Sequence, residues 1–310
     1  MNIAILGMGG VGGFFGGKLA HLIHTDKNLS VYFIARGSHL DAIKKNGLEV
    51  VTPEGSHTYI PTLATDNPCD LPQLDYLMVC VKSYDLEKAL ESIKDKVTKN
   101  TIIHPLLNGV TIFDRVKTVY PHSPVLPSCV YIGTHIEKPG TVMQNGGACI
   151  IHMGEDPSFP GKADIIKDLF DRAKIQYNYS DKVQVEIWSK FIFIAAFALV
   201  TARYNATFGE VLSSASMERD LRAIMEEIKS IAYAKHVDLP KSIVDDTIEK
   251  AGKFPADAKT SFQRDFERSD KPDERDIFGT AILNMASTLD IQVETTKALS
   301  MEIQKIKPLT

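Results

Sequence analysis

Residues 2–12, NIAILGMGGVG, run from a short apolar stretch straight into glycines at positions 7, 9 and 12. The spacing is GxGxxG. A strand-like run, Asn2–Leu6, precedes it and an amphipathic stretch, Phe14–Ile23, follows it. That context favours a dinucleotide-binding turn over a mere glycine-rich one. The chemistry requires residues without Cβ where a pyrophosphate approaches the backbone, and a following helix whose first N–H groups meet the anion. Gly7, Gly9, Gly10, Val11 and Gly12 are therefore candidate cofactor residues. Gly13, Gly16 and Gly17 extend the run, as expected of a helix packed closely on a sheet.

The whole chain is consistent with this beginning. At 310 residues and 44% hydrophobic content it can bury a large core, and its length favours two domains. A net charge of -4 and a pI near 6.1 argue against a nucleic-acid protein, which would carry a basic face. The N-terminus lacks the basic region of a secretory signal, and a cytoplasmic location is expected. Cys69, Cys80, Cys129 and Cys149 are far apart, with no CxxC spacing, and the nine histidines are scattered. Reduced thiols and no metal site are expected.

The second strand-like run, Leu29–Ala35, should end near the adenosine ribose, where an NAD enzyme usually has an acidic residue. Arg36 stands there instead, followed by Gly37 and Ser38. A guanidinium with nearby hydroxyl and turn amides suits a 2′-phosphate, so NADP is preferred over NAD; an exposed arginine opening a loop is the alternative. Leu74–Val81 and Thr101–Leu107 read as continuous apolar strands of a parallel sheet covered on both faces. They end at Lys82 and at Asn108, positions where open α/β sheets bind ligands. A solvated lysine and a turn-forming Asn-Gly are the plain alternatives. Val125–Met153 reads as short strands broken by Pro139-Gly140 and Gly146-Gly147, an antiparallel extension at the sheet edge. A helix at Ala163–Ala173 and a strand at Ile175–Tyr179 close the domain.

Beyond Ser180 the strand signal disappears. Helical runs follow at Val183–Ala202, Met217–His236, Lys241–Lys250, Asp276–Leu289 and Val293–Lys305. The polar segment Ala256–Arg275 reads as a loop or frayed helix. Residues 1–180 are thus read as a Rossmann-type α/β dinucleotide-binding domain and 181–310 as an all-helical domain. The apolar run Ile187–Val200 is shorter than the roughly 20 residues of a membrane span, and reads as core. Lys190 lies inside it. A buried ammonium needs a carboxylate partner, a stem that reaches the surface, or a working site that uses it.

Taken together, GMGGVG, the Arg36 turn, VKSYD around Lys82, LLNG around Asn108, E-x-W-x-K at Glu186–Lys190, GEV at Gly209, SFQRD and KPDERD resemble the ketopantoate reductase (2-dehydropantoate 2-reductase) family over nearly the whole chain. The resemblance implies a Rossmann-type domain followed by a helical one, with the active site in the cleft between them. It implies NADPH-dependent reduction of a 2-oxo acid, ketopantoate, to the 2-hydroxy acid on the way to pantothenate. By the same likeness Gly7, Gly9 and Gly12 hold the pyrophosphate, Arg36 and Lys82 bind the adenosine phosphate end, and Asn108 lies beside the nicotinamide and the substrate. Lys190 matches the catalytic general acid, Glu274 its acidic partner, and Ser261 and Asp265 substrate-binding positions. An apolar setting eases proton donation by a lysine, which suits that role.

The chain also departs from the family. Where the family usually has asparagines at the fourth and eighth residues after the lysine, this sequence has Ile194 and Ala198, and Phe208 replaces another before Gly209-Glu210. Arg203 and Asn205 are polar candidates to compensate. Loss of amides from a hydrogen-bonding site changes recognition strongly, so a relative acting on another oxo acid, carbonyl or imine is the alternative reading. An idle NADPH-binding sensor is a second. A small-molecule 2-oxo acid is the expected partner, with no nucleic acid or membrane, and a homodimer is possible on general grounds.

Overall fold

The computed structural model describes residues 1–268 and 272–307. It divides into two compact units, one of Met1–Asn108 with Ile112–Val183, the other of Gly109–Thr111 with Gln184–Thr310.

The first unit opens with β1 (Asn2–Leu6), α1 (Gly10–His21), β2 (Ser30–Ile34), α2 (Gly37–Asn46), β3 (Leu48–Thr52), β4 (Gly55–Tyr59) and β5 (Leu63–Thr65). It continues through β6 (Tyr76–Val79), α3 (Leu86–Ser92), β7 (Ile102–Pro105) and α4 (Ile112–Val119). It ends with β8 (Ser128–Lys138), β9 (Thr141–Met153), α5 (Lys162–Arg172) and β10 (Gln176–Tyr179). Five strands form a parallel sheet in the order β5-β2-β1-β6-β7. The chain winds outward from β1 to one side and then returns to β6 on the other. The registers align Ile34, Leu6, Val79 and Pro105 in one row at the carboxyl edge. Their near-complete burial explains why these strands read as unbroken apolar runs.

The second sheet was not expected from the sequence. Val125 adds one parallel bridge to Ile103 of β7, but Ser128–Met153 then forms two long strands of a separate sheet, in which β9 carries β8 on one edge and β3 and β10 on the other. The glycines mislead because only one pair breaks the chain. Gly140, at φ +81, makes the turn between β8 and β9. Gly146 and Gly147 instead sit opposite an irregularity at Gly133, where the β8–β9 register shifts and the backbones approach too closely for side chains.

Helix α1 lies between the two sheets and is thinned on both sides to fit. A Cβ on Gly12 would come 2.0 Å from the Gly7 carbonyl oxygen, and one on Gly16 would come 3.0 Å from Ile5. On the opposite side Gly10, Gly13 and Gly17 meet Thr134 of β8, Val142 of β9 and Tyr59 of β4 at 2.5–2.7 Å from the same imagined atom.

The helical unit comprises α6 (Val183–Tyr204), α7 (Phe208–Ser213), α8 (Ala215–Ala234), α9 (Ile243–Ala251), α10 (Ser261–Phe266), a π-helical turn at Asp276–Thr280 running into α11 (Ala281–Thr288), and α12 (Glu294–Ile306). One sequence expectation needs correcting, and one left between loop and frayed helix is decided in part. Helix α6 has 22 residues and is long and apolar enough to cross a membrane; burial of 72% of its most apolar window, not shortness, marks it as a core helix. The polar segment 256–275 contains a helix, α10, because Thr260 caps the Gln263 amide at 3.0 Å and Phe262 and Phe266 are buried. Residues 269–271 of that segment lie outside the described residues.

One polar pair is sealed inside the first unit. The Tyr76 hydroxyl meets His104 Nδ1 at 2.9 Å, with Phe170 stacked on the imidazole, and both polar residues have zero exposure. Burial pushes the His104 pKa from 6.5 down to about 3. Folded His104 stays neutral where the unfolded chain already takes up a proton, so its contribution to stability is present at neutral pH. That contribution is lost as the pH falls from 6.5 toward about 3. His104→Phe should therefore lose less melting temperature than wild type between about pH 7 and about pH 4.5; parallel melting curves across that range would remove His104 as the source.

Candidate active site

In the first unit every predicted cofactor residue lies at the carboxyl edge of the parallel sheet. Gly7 leaves β1 at φ +97, with its amide on the Ile34 carbonyl at 3.1 Å; a Cβ there would come 2.9 Å from Val81 and 3.0 Å from the Cys80 carbonyl. Only glycine fits. Gly9 follows as the N-cap of α1, and a Cβ on it would touch nothing within 4 Å. Its open side lies before a helix start with no side-chain cap and no acidic residue in its first turn. Gly10, Val11 and Gly12 thus begin a helix whose N-terminus carries uncompensated amides and the positive end of the dipole, the arrangement that receives a phosphate.

Arg36 is the exposed N-cap of α2, two residues beyond the end of β2. It lines one cleft together with Gly7, Met8, Gly9, His39 and Asp85. Lys82 lies three residues beyond the end of β6 and Asn108 three beyond the end of β7, both half-buried. Because β6 and β7 are neighbours, these two tips are adjacent. The Lys82 turn is held from behind by Arg115 of α4, which donates to the Ser83 carbonyl at 2.6 Å and to both oxygens of Glu87 at 2.6 and 2.8 Å. That guanidinium holds the Glu87 carboxyl below its usual pKa. His39, Asp85 and Arg115 were missed in the sequence. For His39 the signal was its position one helical turn after Arg36.

In the helical unit Lys190 lies in the second turn of α6 and is only 8% exposed. Glu186, one turn earlier, is half-buried. Three aromatic rings join the segments that carry the other candidates: Phe191 stacks on Phe278 at 6.5 Å, and Phe278 meets Phe262 edge-on at 5.5 Å. These rings are next in sequence to Lys190 and Ser261, and the amides of Ile277 and Phe278 both donate to the Glu274 carbonyl. Ser261 is exposed, Asp265 half-buried and Glu274 buried. Two adjacent acids compete for the role given to Glu274. Asp273 is committed elsewhere, to Arg275 at 2.7 Å and Lys307 at 3.3 Å. Burial raises its pKa, but those two cations outweigh burial and leave it below normal.

The positions lacking family asparagines are apolar in space as well as in sequence. Ile194 is half-buried and Ala198 buried, both on the side of α6 that carries Lys190 by helical spacing. Phe208 stacks on Phe197 at 4.4 Å and on Phe254 at 5.5 Å, with Phe193 completing the cluster. Arg203 is ion-paired with Glu302 and lies over the Tyr204 ring, while Asn205, at φ +50, is the exposed left-handed residue that ends α6. Among the described residues no group of three or more His, Cys, Asp or Glu comes together that could hold a metal.

A glycine turn at the switch point of a parallel sheet, before a helix start open to an anion, marks the first unit as a dinucleotide-binding one. A family profile described as "Ketopantoate reductase PanE/ApbA" matches residues 3–158, and its C-terminal counterpart matches residues 182–307. The chain belongs to the ketopantoate reductase family, and is an NADP-dependent oxidoreductase of it. It is 25% identical to the 2-dehydropantoate 2-reductase of Mesorhizobium japonicum, over 99% of this chain and 98% of that relative. A PanE/ApbA family ketopantoate reductase from Ralstonia eutropha superimposes with a TM-score of 0.88 at 26% identity, covering 99% of this chain and 98% of that one. A D-mandelate dehydrogenase solved with NADH and anilino(oxo)acetate shares the fold, with a TM-score of 0.85 at 18% identity and 98% coverage of both chains.

Removing the Asp273 carboxylate would leave Arg275, itself mostly buried, without its partner. Asp273→Asn should destabilise the helical unit by about 3–5 kcal/mol, as loss of one member of a buried pair does. A denaturant midpoint equal to wild type would show that the pair is not structural.

Proposed function

We propose that this chain reduces a 2-oxo acid to the 2-hydroxy acid with NADPH. The observation that carries the reading is a lysine 8% exposed in the core helix of the second unit, in a chain whose first unit is built to hold a dinucleotide. Bound NADPH supplies a hydride to the carbonyl carbon. The Lys190 ammonium donates a proton to the carbonyl oxygen as negative charge develops there, and recovers its proton from solvent after product leaves. Glu274 orients Lys190, and Ser261, Asp265 and Asn108 hold the acid. Gly7, Gly9, Gly10, Val11 and Gly12 cradle the pyrophosphate, and Arg36 with Lys82 takes the adenosine phosphate end.

The first substrate to test is 2-dehydropantoate, named in the relatives. A second reading has its own observation. Ile194, Ala198 and the Phe193, Phe197, Phe208 and Phe254 cluster favour a 2-oxo acid with an apolar side chain, as does the shared fold with a D-mandelate dehydrogenase. Steady-state NADPH oxidation with 2-dehydropantoate beside branched and aromatic 2-oxo acids separates the two. A higher kcat/KM for 2-dehydropantoate supports the first, and preference for the apolar acids supports the second. No turnover of any would remove the 2-oxo acid assignment.

Lys190→Ala should lower kcat by roughly 10²–10⁴-fold while leaving NADPH affinity nearly intact. An unaffected kcat would exclude the proton-donor role. Arg36→Ala should weaken NADPH much more than NADH, and equal losses for both would exclude a 2′-phosphate contact.

A further inference from the structure

Helix α10 has six residues, too few to hold a shape by its own hydrogen bonds, so its placement is set by what it is tied to. It carries Ser261 and Asp265, which are four residues apart and therefore share a face. Burial of Phe266, and of Phe262 against Phe278, holds the helix down, but apolar contact has no direction. The segment before the helix is held by the amides of Phe208 and Gly209, which donate to the Ala258 and Ala256 carbonyls at 3.0 and 2.8 Å. These ties fix where α10 lies. The rotation of its first turn needs a directional bond.

Thr201 of α6 supplies one. Its side chain is wholly buried, about three helical turns after Lys190. Its hydroxyl lies 2.7 Å from the Phe197 carbonyl and 3.2 Å from the Thr260 hydroxyl, and the Thr260 oxygen accepts the Gln263 amide at 3.0 Å. The count of protons gives this chain one direction. A carbonyl can only accept, so the Thr201 proton goes to Phe197, and the Thr201 oxygen is left to accept from Thr260. The Gln263 amide, the Thr260 hydroxyl and the Thr201 hydroxyl thus point one after another from α10 into α6, each polarising the next. Ser261 lies between the two residues of α10 that this chain holds.

We propose that Thr201 is a positioning residue for the substrate: through Thr260 it locks the first turn of α10 to the lysine-bearing helix and fixes the Ser261 hydroxyl in the direction that receives the 2-oxo acid. The role rests on the reading of Ser261 as a group that holds the acid. The Thr201 hydroxyl is engaged on both sides, by Phe197 and by Thr260, so it acts through Ser261 and not by contact. A grip on the acid that is the same before and during hydride transfer contributes equally to both states, and its loss appears in KM and not in kcat.

The test is steady-state kinetics with NADPH and the 2-oxo acid that the wild-type chain turns over best. Thr201→Val keeps the shape of the side chain without the hydroxyl, and Thr201→Ser keeps the hydroxyl. Thr260→Gly, a tolerated N-cap without a hydroxyl, reads the same link from α10 at little cost in stability. Thr201→Val and Thr260→Gly should each raise the oxo-acid KM roughly threefold to tenfold, the worth of one hydrogen bond, with kcat changed by less than about twofold. Thr201→Ser should stay near wild type, and a serine no better than valine would show that the hydroxyl is not what counts. The deciding measurement is a double-mutant cycle with Ser261→Ala: once that hydroxyl is gone, adding Thr201→Val should raise KM no further. Losses that multiply would make Thr201 merely structural, and an unchanged KM in either hydroxyl-free variant would remove the link; each overturns the proposal. Ser261→Ala with a wild-type KM would instead strike Ser261 from the substrate site, and the role of Thr201 with it.

Discussion

The structure of the first unit depends on how closely α1 approaches two sheets at once. Five of its twelve residues are glycine, and each glycine costs a helix interior about 1 kcal/mol relative to alanine. Such a helix is poor in isolation. It forms because Gly12 and Gly16 let it lie on β1 while Gly10, Gly13 and Gly17 let β4, β8 and β9 close over its other side. The same closeness sets its N-terminus hard against the end of β1, with no side-chain cap on its first amides. Sheet packing and anion binding are two consequences of one missing set of Cβ atoms.

This double use explains what could be read from the sequence. The GxGxxG turn, the strand tips at Lys82 and Asn108 and the arginine after β2 are local features, each legible from a few residues, and all four fall on one edge of the parallel sheet. The second sheet was not legible because its pairings are long-range: β3 joins β9, some ninety residues later, and β9 joins β10. Nothing in the local pattern of Gly146-Gly147 distinguishes a bulge within a strand from a turn between strands. The glycines at 10, 13 and 17 could have been a clue, since one sheet cannot use both faces of a helix. The bond from the Gly140 amide to His39 was illegible for the same reason, since its partners lie 101 residues apart.

In the helical unit, burial decided what periodicity could not. Lys190 was conspicuous because it interrupts an apolar helix, and it is indeed buried. Glu274 was the less obvious choice, since Asp273 beside it is also an acid and also buried. Composition cannot separate two adjacent carboxylates; the geometry adds that Arg275 and Lys307 converge on Asp273. Segment 256–275 reads as a loop or a frayed helix, and charge density cannot decide between them; a helix of six residues needs only a cap and a pair of buried rings, and Thr260, Phe262 and Phe266 supply them.

The side of α6 beyond Lys190 shows where fold and specificity separate. Phe208 and Phe197 stack at an interplanar angle of 10°, and both are buried, so an amide at position 208 would lose ring packing and need new hydrogen-bond partners. The aromatic cluster is thus a unit: Phe208 cannot revert alone without unsettling Phe193, Phe197 and Phe254. Ile194 and Ala198 follow the buried Lys190 on one side of α6, and neither can supply an amide's hydrogen bonds. Rings and aliphatic groups cannot hydrogen-bond a hydroxyl, whereas they gain by covering apolar surface. Along this side of α6 one ammonium is therefore followed, at Ile194 and Ala198, by groups that can pack but cannot hydrogen-bond.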